Sequence, residues 1–330
     1  MTVHIREGSA ARNLKDIVQG IVEEHMSTDG FCFCTDDKHI EDIKREGHID
    51  HNVRKAAALG IDPVHAIRMA TIQAAKCYGL SRIGAVAPGY QADLLVLDDL
   101  EQAAVREVYY KGQIVKAENA CPVHTCPLEL KNTVHVKAFT RDKLKYTGSF
   151  PCHVILMEEG QITTKDIMEE EICQDHLEGN GKIQKIAVVE RHKHTGMVGV
   201  GFVKGYGLQC GAAASSVSHD SHNIIVIGDN DEDMELAVRE LIRTQGGYTL
   251  VHSHQIYETL ELPIMGLMTD MGFEKANQKL EKMIQKAHEM GVPNGMDPFI
   301  ALSFMALPVI PEIRITPRGI YSVTGNAFYT

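Results

Sequence analysis

The sequence predicts an α/β segment, a small β layer and an α+β segment, in that order. Residues 1–83 alternate strand and helix patterns, which is typical of a parallel sheet covered by helices. Residues 84–118 instead contain a Pro-Gly turn and short apolar strands. Residues 119–130 carry two Pro and two Cys, which indicates a linker, and residues 131–330 lack the regular alternation of the first segment.

Local signals predict the elements of the first two segments. Phe31 to Cys34 is a run of apolar and sulfur-bearing residues entered from Gly30, as expected of a strand buried on both faces. Asp62-Pro63 starts a helix that ends at Tyr78-Gly79-Leu80, because Asp caps a helix N-terminus and Pro suits the first turn. The other predicted elements are a strand over 1–7, a helix over 9–24 capped by Ser9, a helix over 50–59, an apolar strand over 94–97 and a hairpin over 105–115.

Beyond the linker, short apolar runs predict strands and longer periodic segments predict helices. The strands are predicted over 134–139, 153–157, 183–189, 211–217, 224–227 and 248–252. The helices are predicted over 232–245, with Asp231 near the cap, and over 271–290. Together these elements predict an α+β domain over residues 131–330.

Composition excludes some classes of function. The net charge of −11 argues against nucleic-acid binding, which draws on a basic patch. The longest apolar runs fall far short of the roughly 20 residues that span a membrane. The N-terminus alternates like a strand and lacks the apolar core of a signal peptide, so we expect eight reduced cysteines and a cytoplasmic location.

Cysteine spacing does not predict a structural zinc site. Cys32 and Cys34 would share one face of their strand, and Cys121 and Cys126 lie in the predicted linker. Neither pair has a second pair at the spacing typical of zinc sites.

Two adjacent carboxylates, Asp36 and Asp37, follow the buried strand at 31–34. The carboxyl ends of parallel strands are where α/β proteins place their chemistry, so both residues are candidates for catalysis or metal binding. A plainer interpretation is that one of them caps the next helix. If the sheet is parallel, Arg6 and Glu7 end the first strand at the same edge and are candidate substrate-binding residues.

Six segments of the chain resemble the adenine deaminases of the amidohydrolase superfamily. In family order they are IREGSAA at 5–11, CTDD at 34–37, EGHIDH at 46–51, APGYQADL at 87–94, VSHDSHN at 217–223 and LPIMGLM at 262–268. The resemblance implies that residues 1–83 are the last units of a metal-dependent (β/α)₈ barrel. It further implies a small, composite β domain over 84–118 and a deaminase C-terminal domain over 131–330.

The resemblance also implies an activity. A manganese or ferrous ion would activate water for attack on C6 of adenine, giving hypoxanthine and ammonia in purine salvage or adenine catabolism. Asp36 matches the aspartate at the end of the eighth barrel strand, which touches the metal and moves a proton to the leaving group. Asp37 would lie beside it, on the substrate side.

The chain differs from the family in its metal-binding residues. In the superfamily the earlier strands supply a His-x-His pair, a bridging carboxylate and two further His, and Met1 aligns near the seventh strand. The resemblance therefore places these ligands upstream of this chain. The pairs His192-x-His194 and His252-x-His254 fall in the C-terminal segment, and we interpret them as surface or loop histidines.

A second polar cluster, His219 to Asn223, lies between two predicted strands. His219, Asp220 and His222 could contact a metal or a purine, or the segment could be a polar hairpin loop satisfied by its own backbone. The resemblance favours substrate binding. His48, Asp50 and His51 could likewise share a ligand, although a solvated or capping face is an equal alternative.

Two classes of function remain open. The first is an adenine deaminase, or an enzyme acting on a related aminopurine, working as a homo-oligomer or with an N-terminal partner chain. The second is a non-catalytic remnant or assembly subunit of a split deaminase. The missing His-x-His pair favours the second for the isolated chain, whereas Asp36 and the cluster at 219–223 favour the first for a complete assembly.

Overall fold

The computed structural model of the protein describes residues 1–9, 12–116, 126–174, 177–179 and 181–329. The chain divides into two units, residues 1–124 and 125–330. Most of the linker predicted over 119–130 lies outside the described residues, and Leu128–Lys131 at its end forms a 3₁₀ turn. None of the helices in the described part of the chain combines the length and apolar character needed to cross a bilayer.

The first unit is built from a βαβ core, further helices and a small sheet. Its elements are β1 (Val3–Arg6), α1 (Leu14–Glu23), β2 (Phe31–Cys34), α2 (Ile40–Glu46), α3 (Ile49–Ala58), α4 (Pro63–Ala70), α5 (Ile72–Cys77), β3 (Leu94–Asp99), β4 (Ala104–Tyr110) and β5 (Gln113–Ile114). The order begins strand, helix, strand, helix, as the sequence predicts.

Strands β1 and β2 pair in parallel, with His4 opposite Cys32 and Arg6 opposite Cys34. Ile5 and Phe33 point to the helices and pack in a core with side chains of α1, α3 and α4. Because side chains alternate along a strand, His4, Arg6, Cys32 and Cys34 share the opposite face. This parallel pairing brings the carboxyl ends of both strands to one edge.

Two helix predictions in this unit need correction, and the sequence misses a third helix. Helix α1 begins at Leu14 after Asn13, and Ser9 does not cap it, because the Ser9 hydroxyl donates to Asp42 and accepts from the His39 backbone. Helix α2 was not predicted, since its short, charged sequence buries no residue. The helix that starts at Asp62-Pro63 is broken at Thr71, whose hydroxyl bonds back to the Ile67 carbonyl.

The small sheet has the antiparallel order β3-β4-β5. The hairpin of β4 and β5 lies where the sequence predicts it. Strand β3 is less buried than its apolar sequence suggests, since Leu95 is 57% exposed. Val105, Val108 and Tyr110 of β4 are also exposed.

The second unit is an α+β domain around one large sheet. Its elements are β6 (Cys152–Met157), β7 (Thr164–Glu169), β8 (Ile183–Val189), β9 (Val198–Lys204), β10 (Gly211–Ser215), β11 (Ile224–Gly228), α6 (Asp231–Arg243), β12 (Gly247–His252), β13 (Gln255–Glu261), α7 (Phe273–Glu289), α8 (Pro298–Phe304), β14 (Ile313–Thr316), β15 (Gly319–Ser322) and β16 (Ala327–Phe328). A 3₁₀ turn also spans Arg141–Leu144.

The eight-stranded sheet has the order β13-β12-β10-β11-β8-β9-β6-β7. Its central strands β10 and β11 are buried along their whole length. Helix α6 packs on one face of the sheet and inserts Met234, Ala237, Val238 and Leu241 into the main core. Helix α8 packs against β10 and β11, and a smaller sheet of β14, β15 and β16 lies beside β9.

The strand predicted over 134–139 is wrong. Val134 and Phe139 are buried, but the segment is irregular and its backbone bonds to the Gln245 side chain and the Arg191 carbonyl. The sequence does not predict strands β7, β9 and β13 of the large sheet. Strands β7 and β13 lie at its two ends and carry polar residues, so they lack the apolar run that marks a central strand. Strand β9 lies inside the sheet, but Gly199 and Gly201 interrupt its apolar run.

Candidate functional site

The carboxyl ends of β1 and β2 carry an ion pair. Arg6 Nη1 lies 2.9 Å from Asp36 Oδ2, with both side chains partly exposed. Arg6 Nε donates a hydrogen bond of 2.9 Å to Asn13 Oδ1, which fixes the guanidinium from the other side. The parallel pairing therefore brings together two residues that the sequence predicts for one edge, although 30 positions separate them.

Backbone geometry holds the turn that presents Asp36. Asp36 has a φ of +61°, in the left-handed region that non-glycine residues rarely adopt. The backbone of Gly8 packs tightly under this turn, since a Cβ at Gly8 would lie 2.7 Å from the carbonyl oxygens of both Thr35 and Asp37. Ser9 N donates to the Asp37 carbonyl at 2.8 Å. The residue that caps α2 is His39, so neither Asp36 nor Asp37 serves as the helix cap of the plainer interpretation.

Glu7 is a buried carboxylate at the same edge. Its Oε1 lies 2.6 Å from Lys55 Nζ and 3.5 Å from Arg12 Nη1. Its Oε2 has no hydrogen-bond partner among the described residues. One oxygen thus anchors α3 to the end of β1, and the other is a buried acceptor without a hydrogen bond among the described residues.

The Glu46 carboxylate, at the end of α2, lies close to three basic side chains. Lys38 Nζ and Arg12 Nη2 lie 2.9 and 3.3 Å from its Oε1, and His51 Nε2 lies 3.9 Å from its Oε2. Burial alone would raise the pKa of Glu46, but Lys38 and Arg12 lower it to about 2. The carboxylate is therefore ionised at any working pH and ties the Asp37-to-His39 segment to α2 and α3.

His48, Asp50 and His51 do not converge on one ligand. His48 Nε2 lies 3.1 Å from the Thr35 hydroxyl, directly before Asp36. Asp50 accepts from the backbone N–H of His48 at 2.6 Å and from Arg54 at 2.7 Å, as a local cap does. Burial lowers the pKa of His51, so this imidazole is predominantly neutral near pH 7.

The candidate residues of the second unit lie in the hairpin loop between β10 and β11. These strands are antiparallel neighbours, with Ser215 opposite Ile225. His219 stacks on Phe304 with ring centroids 5.0 Å apart, and its backbone N–H donates to Ser303 on α8. Asp220 is largely exposed, with an oxygen 3.5 Å from His219 Nδ1.

A buried arginine holds this loop without a carboxylate partner among the described residues. Arg191 is 1% exposed and donates to the carbonyls of Thr133, His222 and Met265. Burial lowers the pKa of Arg191 to about 10, which leaves it cationic near pH 7. His192 adds a hydrogen bond of 2.7 Å to the Ser221 carbonyl.

Two buried polar atoms of the loop lack a protein partner. Ser218 Oγ and His222 Nδ1 are enclosed, yet neither has a hydrogen bond within the described part of the chain. Burial, with the nearby Arg191 charge, lowers the pKa of His222, so its ring is neutral and can donate or accept. The loop is thus held by backbone contacts, as a polar hairpin would be, but it also offers unsatisfied groups to a ligand.

The other histidine pairs have structural partners. His192 contacts the loop at 219–223, and His254 Nδ1 lies 3.1 Å from Asp233 Oδ1 at the start of α6. Within the described residues, neither pair takes part in a group of three close metal-binding side chains.

Several residues of both candidate regions carry no sequence signal. Lys55 lies 48 positions from Glu7 and Arg191 lies 58 positions from Thr133, and lysine or arginine at these positions resembles any surface charge. Lys38 is nearer to its partner Glu46 in the chain, but its sequence does not show that its side chain is buried almost completely.

Sequence comparison adds two family matches. Residues 160–327 match the adenine deaminase C-terminal domain, and residues 8–117 match the amidohydrolase family. The first match includes the loop at 219–223, and the second includes Asp36.

Similar proteins extend over nearly the whole chain. It is 52% identical over 330 residues to the adenine deaminase of Desulfitobacterium hafniense (strain Y51), covering 99% of this chain and 58% of that protein. It is 42% identical over 340 residues to that of Clostridium acetobutylicum, covering 99% and 59%. It is 39% identical over 341 residues to that of Listeria monocytogenes serovar 1/2a, covering 97% and 57%. The chain therefore spans just under three-fifths of the length of these relatives.

Proposed function

The chain belongs to the adenine deaminase C-terminal domain family, and from this membership we propose that it acts in the hydrolytic deamination of adenine to hypoxanthine and ammonia. The observation that carries the proposal is the Asp36 carboxylate, presented at the joint carboxyl edge of two parallel strands beside Arg6. This is where a barrel enzyme places its reacting groups.

We assign β1 and β2 to the end of a (β/α)₈ barrel. Their parallel pairing, the helix that connects them and the core between them and the helices support this assignment. The sheet of β3, β4 and β5 would then belong to the small β domain, and residues 131–330 would form the C-terminal domain.

Residue roles follow from chemistry and position. Asp36 is the proposed catalytic residue, because a carboxylate can accept a proton from the attacking water and return it to the leaving amine. Arg6 positions Asp36 through their ion pair, and Asp37 and Glu7 lie on the substrate side. His219, Asp220 and His222 would contact the purine, since a neutral imidazole can bond to ring nitrogens.

The described residues do not complete a site for the divalent metal that the family implies. Asp36 does not belong, within the described part of the chain, to a group of three His, Cys, Asp or Glu side chains with ligand atoms within 4.8 Å. Catalytic metal sites of this kind usually take about three protein ligands. Further ligands would come from residues beyond those described.

A partner segment would also cover apolar surface. Leu95, Val105 and Tyr110 on the small sheet are exposed, and exposed apolar side chains grouped on one element mark interaction surfaces. We propose that a further barrel segment, in the same or a separate chain, or a second copy of the protein covers this sheet. The free thiols of the described cysteines suit a reducing compartment, so we place this assembly in the cytoplasm.

A fusion experiment tests the proposed function. The part of the Desulfitobacterium hafniense relative that the match does not cover is joined to this chain, and the fusion is loaded with manganese or ferrous iron. We expect adenine-dependent ammonia release by the fusion and none by the unfused chain. Asp36→Asn should lower kcat of the fusion by about 10²-fold or more, since it removes a proton acceptor.

The control is Asp98→Asn, which changes an exposed carboxylate of the small sheet. His222→Phe should raise KM more than it lowers kcat if the loop contacts the purine. A folded, metal-loaded fusion without activity would overturn the proposal and favour a non-catalytic remnant. Full activity of the Asp36→Asn fusion would overturn the role of Asp36.

A further inference from the structure

A cluster of sulfur and nitrogen ligands lies on the face of β1 and β2 that points away from the helices. His4 of β1 stands opposite Cys32 of β2, and Cys77 ends α5. Cys32 Sγ lies 3.5 Å from His4 Nδ1, and Cys77 Sγ lies 3.5 Å from His4 Nε2. One ligand atom from each residue can be chosen so that all three lie within 4.8 Å of one another.

These distances are close to those around a tetrahedral zinc ion. With Zn–S near 2.3 Å and Zn–N near 2.0–2.1 Å, neighbouring sulfur and nitrogen ligands are separated by about 3.5 Å. A single ion uses one ring nitrogen, so one sulfur must move toward that nitrogen. Cys77 can make this movement because it is exposed at the end of a short helix.

The surroundings suit an ion with one open coordination position. Cys77 lines an open cavity of about 380 Å³ together with Thr2, Asp29, Gly30, Arg68, Gln73 and Lys76. An ion and a water ligand could enter from this side. On the other side, Cys32 is buried, and the Tyr78 ring packs edge-on against His4 with centroids 5.7 Å apart. The imidazole is therefore held in place before any ion binds.

We propose that His4, Cys32 and Cys77 bind a thiophilic divalent cation, with zinc as the best fit, and leave a fourth position for water or an external ligand. Two thiolates and an imidazole favour zinc over manganese, which prefers oxygen ligands. The site is therefore distinct from the carboxylate Asp36 and does not depend on the proposed deaminase activity.

Sequence spacing could not reveal this site. Cys32 and Cys34 follow each other along one strand, but the second sulfur of the cluster comes from Cys77 instead. The imidazole comes from a neighbouring strand, 28 positions before Cys32. The parallel register places His4 beside Cys32, and the end of α5 places Cys77 next to His4.

Metal titration of the purified full chain, reduced with a non-thiol phosphine, tests the proposal. Zinc is added in competition with a chromophoric chelator, and cobalt is added separately as a spectroscopic probe. We expect one equivalent of tightly bound zinc and a thiolate-to-cobalt charge-transfer band. Cys77→Ser should weaken the band, because Cys32 then supplies the one remaining thiolate of the cluster. It should also weaken zinc binding by roughly 100-fold, since losing a direct ligand costs at least as much as losing a residue that orients a ligand.

Cys34→Ser is the matched control, because it removes a thiol from the same face of the same strand without touching the cluster. It should retain the band and the zinc affinity, and so should Asp36→Asn. Circular dichroism checks that each variant is folded. Absence of tight zinc binding to the reduced chain would overturn the proposal. Unchanged affinity in folded Cys77→Ser, or equal loss in Cys34→Ser, would also overturn it.

Discussion

Asp36 depends on the backbone around it as much as on its own side chain. Its positive φ is costly for an aspartate and persists only where neighbouring structure enforces it. Gly8 supplies that enforcement, because it lets the end of β1 pass against the carbonyls of Thr35 and Asp37. The Arg6 ion pair then fixes the carboxylate.

Replacing Gly8 by alanine tests this close approach. The new Cβ would meet two backbone oxygens at 2.7 Å, and backbone cannot move aside as a flexible side chain can. We expect Gly8→Ala to lower the free energy of unfolding by about 1–3 kcal/mol, as overpacking does. Urea unfolding followed by circular dichroism measures the change.

Gly20→Ala is the matched control. Gly20 lies within α1, and a Cβ there would meet nothing within 4 Å. Alanine should stabilise this helix by about 0.5–1 kcal/mol. Equal stability of Gly8→Ala and the parent protein would show that the turn does not need glycine.

Single residues were predictable from the sequence where a strand end marked them. Arg6 and Asp36 could be assigned to one edge, because Arg6 ends the first strand, Asp36 follows the second, and parallel pairing aligns these strand ends. Lys55 and Arg191 could not be assigned, because their partners are chosen by tertiary packing. Asp36, Arg6 and the loop at 219–223 keep their proposed roles as predictions.

Among the strands of the large sheet, an uninterrupted apolar run decided which ones the sequence could predict, since β9 is largely buried but Gly199 and Gly201 interrupt its apolar pattern. The strands β10 and β11 and the C-terminal part of β8 consist of small or apolar, buried residues, so their sequences stand out. The end strands β7 and β13 face partly to solvent, so polar residues obscure them. The segment at 134–139 shows the converse error, since apolar side chains there fill the core without forming a strand.

The turn after β8 contains Glu190, whose carboxylate supports the loop at 219–223 indirectly. Glu190 accepts hydrogen bonds from the backbone N–H groups of His192, Lys193 and Thr195 and from the Thr195 hydroxyl. This turn places His192 so that its ring bonds to the Ser221 carbonyl. Glu190 therefore supports the candidate loop without touching it.

The contribution of the Glu190 turn to the free energy of unfolding should depend on pH. Burial alone would raise the pKa of Glu190, but the backbone N–H groups of Lys193 and Thr195, together with its other donors, lower it to about 2. A carboxylate with a lowered folded-state pKa adds stability above its unfolded pKa of about 4.3, and this stability is lost as the pH falls to about 2. Glu190→Gln should therefore be less stable than the parent by about 1–3 kcal/mol at pH 7.

The difference between parent and variant should shrink as the pH falls from about 4.5 toward 2. Urea unfolding at several pH values measures it. Glu171→Gln, at an exposed position, is the control and should match the parent throughout. A difference that stays constant down to pH 2 would contradict the assignment.

At the scale of the whole molecule, the two units differ in the number of strands in their main sheets. The second unit has an eight-stranded sheet with α6 packed on it and a continuous core. The first unit has a parallel sheet of two strands, β1 and β2, in the described part of the chain. Short two-stranded sheets are marginal alone, so helix packing must supply most of the stability of the first unit.

Expression of the units separately tests this asymmetry. We expect residues 125–330 to fold alone, with strand-rich circular dichroism and one cooperative urea transition, because the core and the large sheet lie entirely within that unit. Residues 1–124 should unfold at lower urea concentration and with weaker cooperativity, because two parallel strands leave ladder positions unpaired. Binding of a hydrophobic dye distinguishes a packed unit from a loosely collapsed one. Dye binding and non-cooperative unfolding of residues 125–330 would show instead that the large sheet depends on the first unit for its packing.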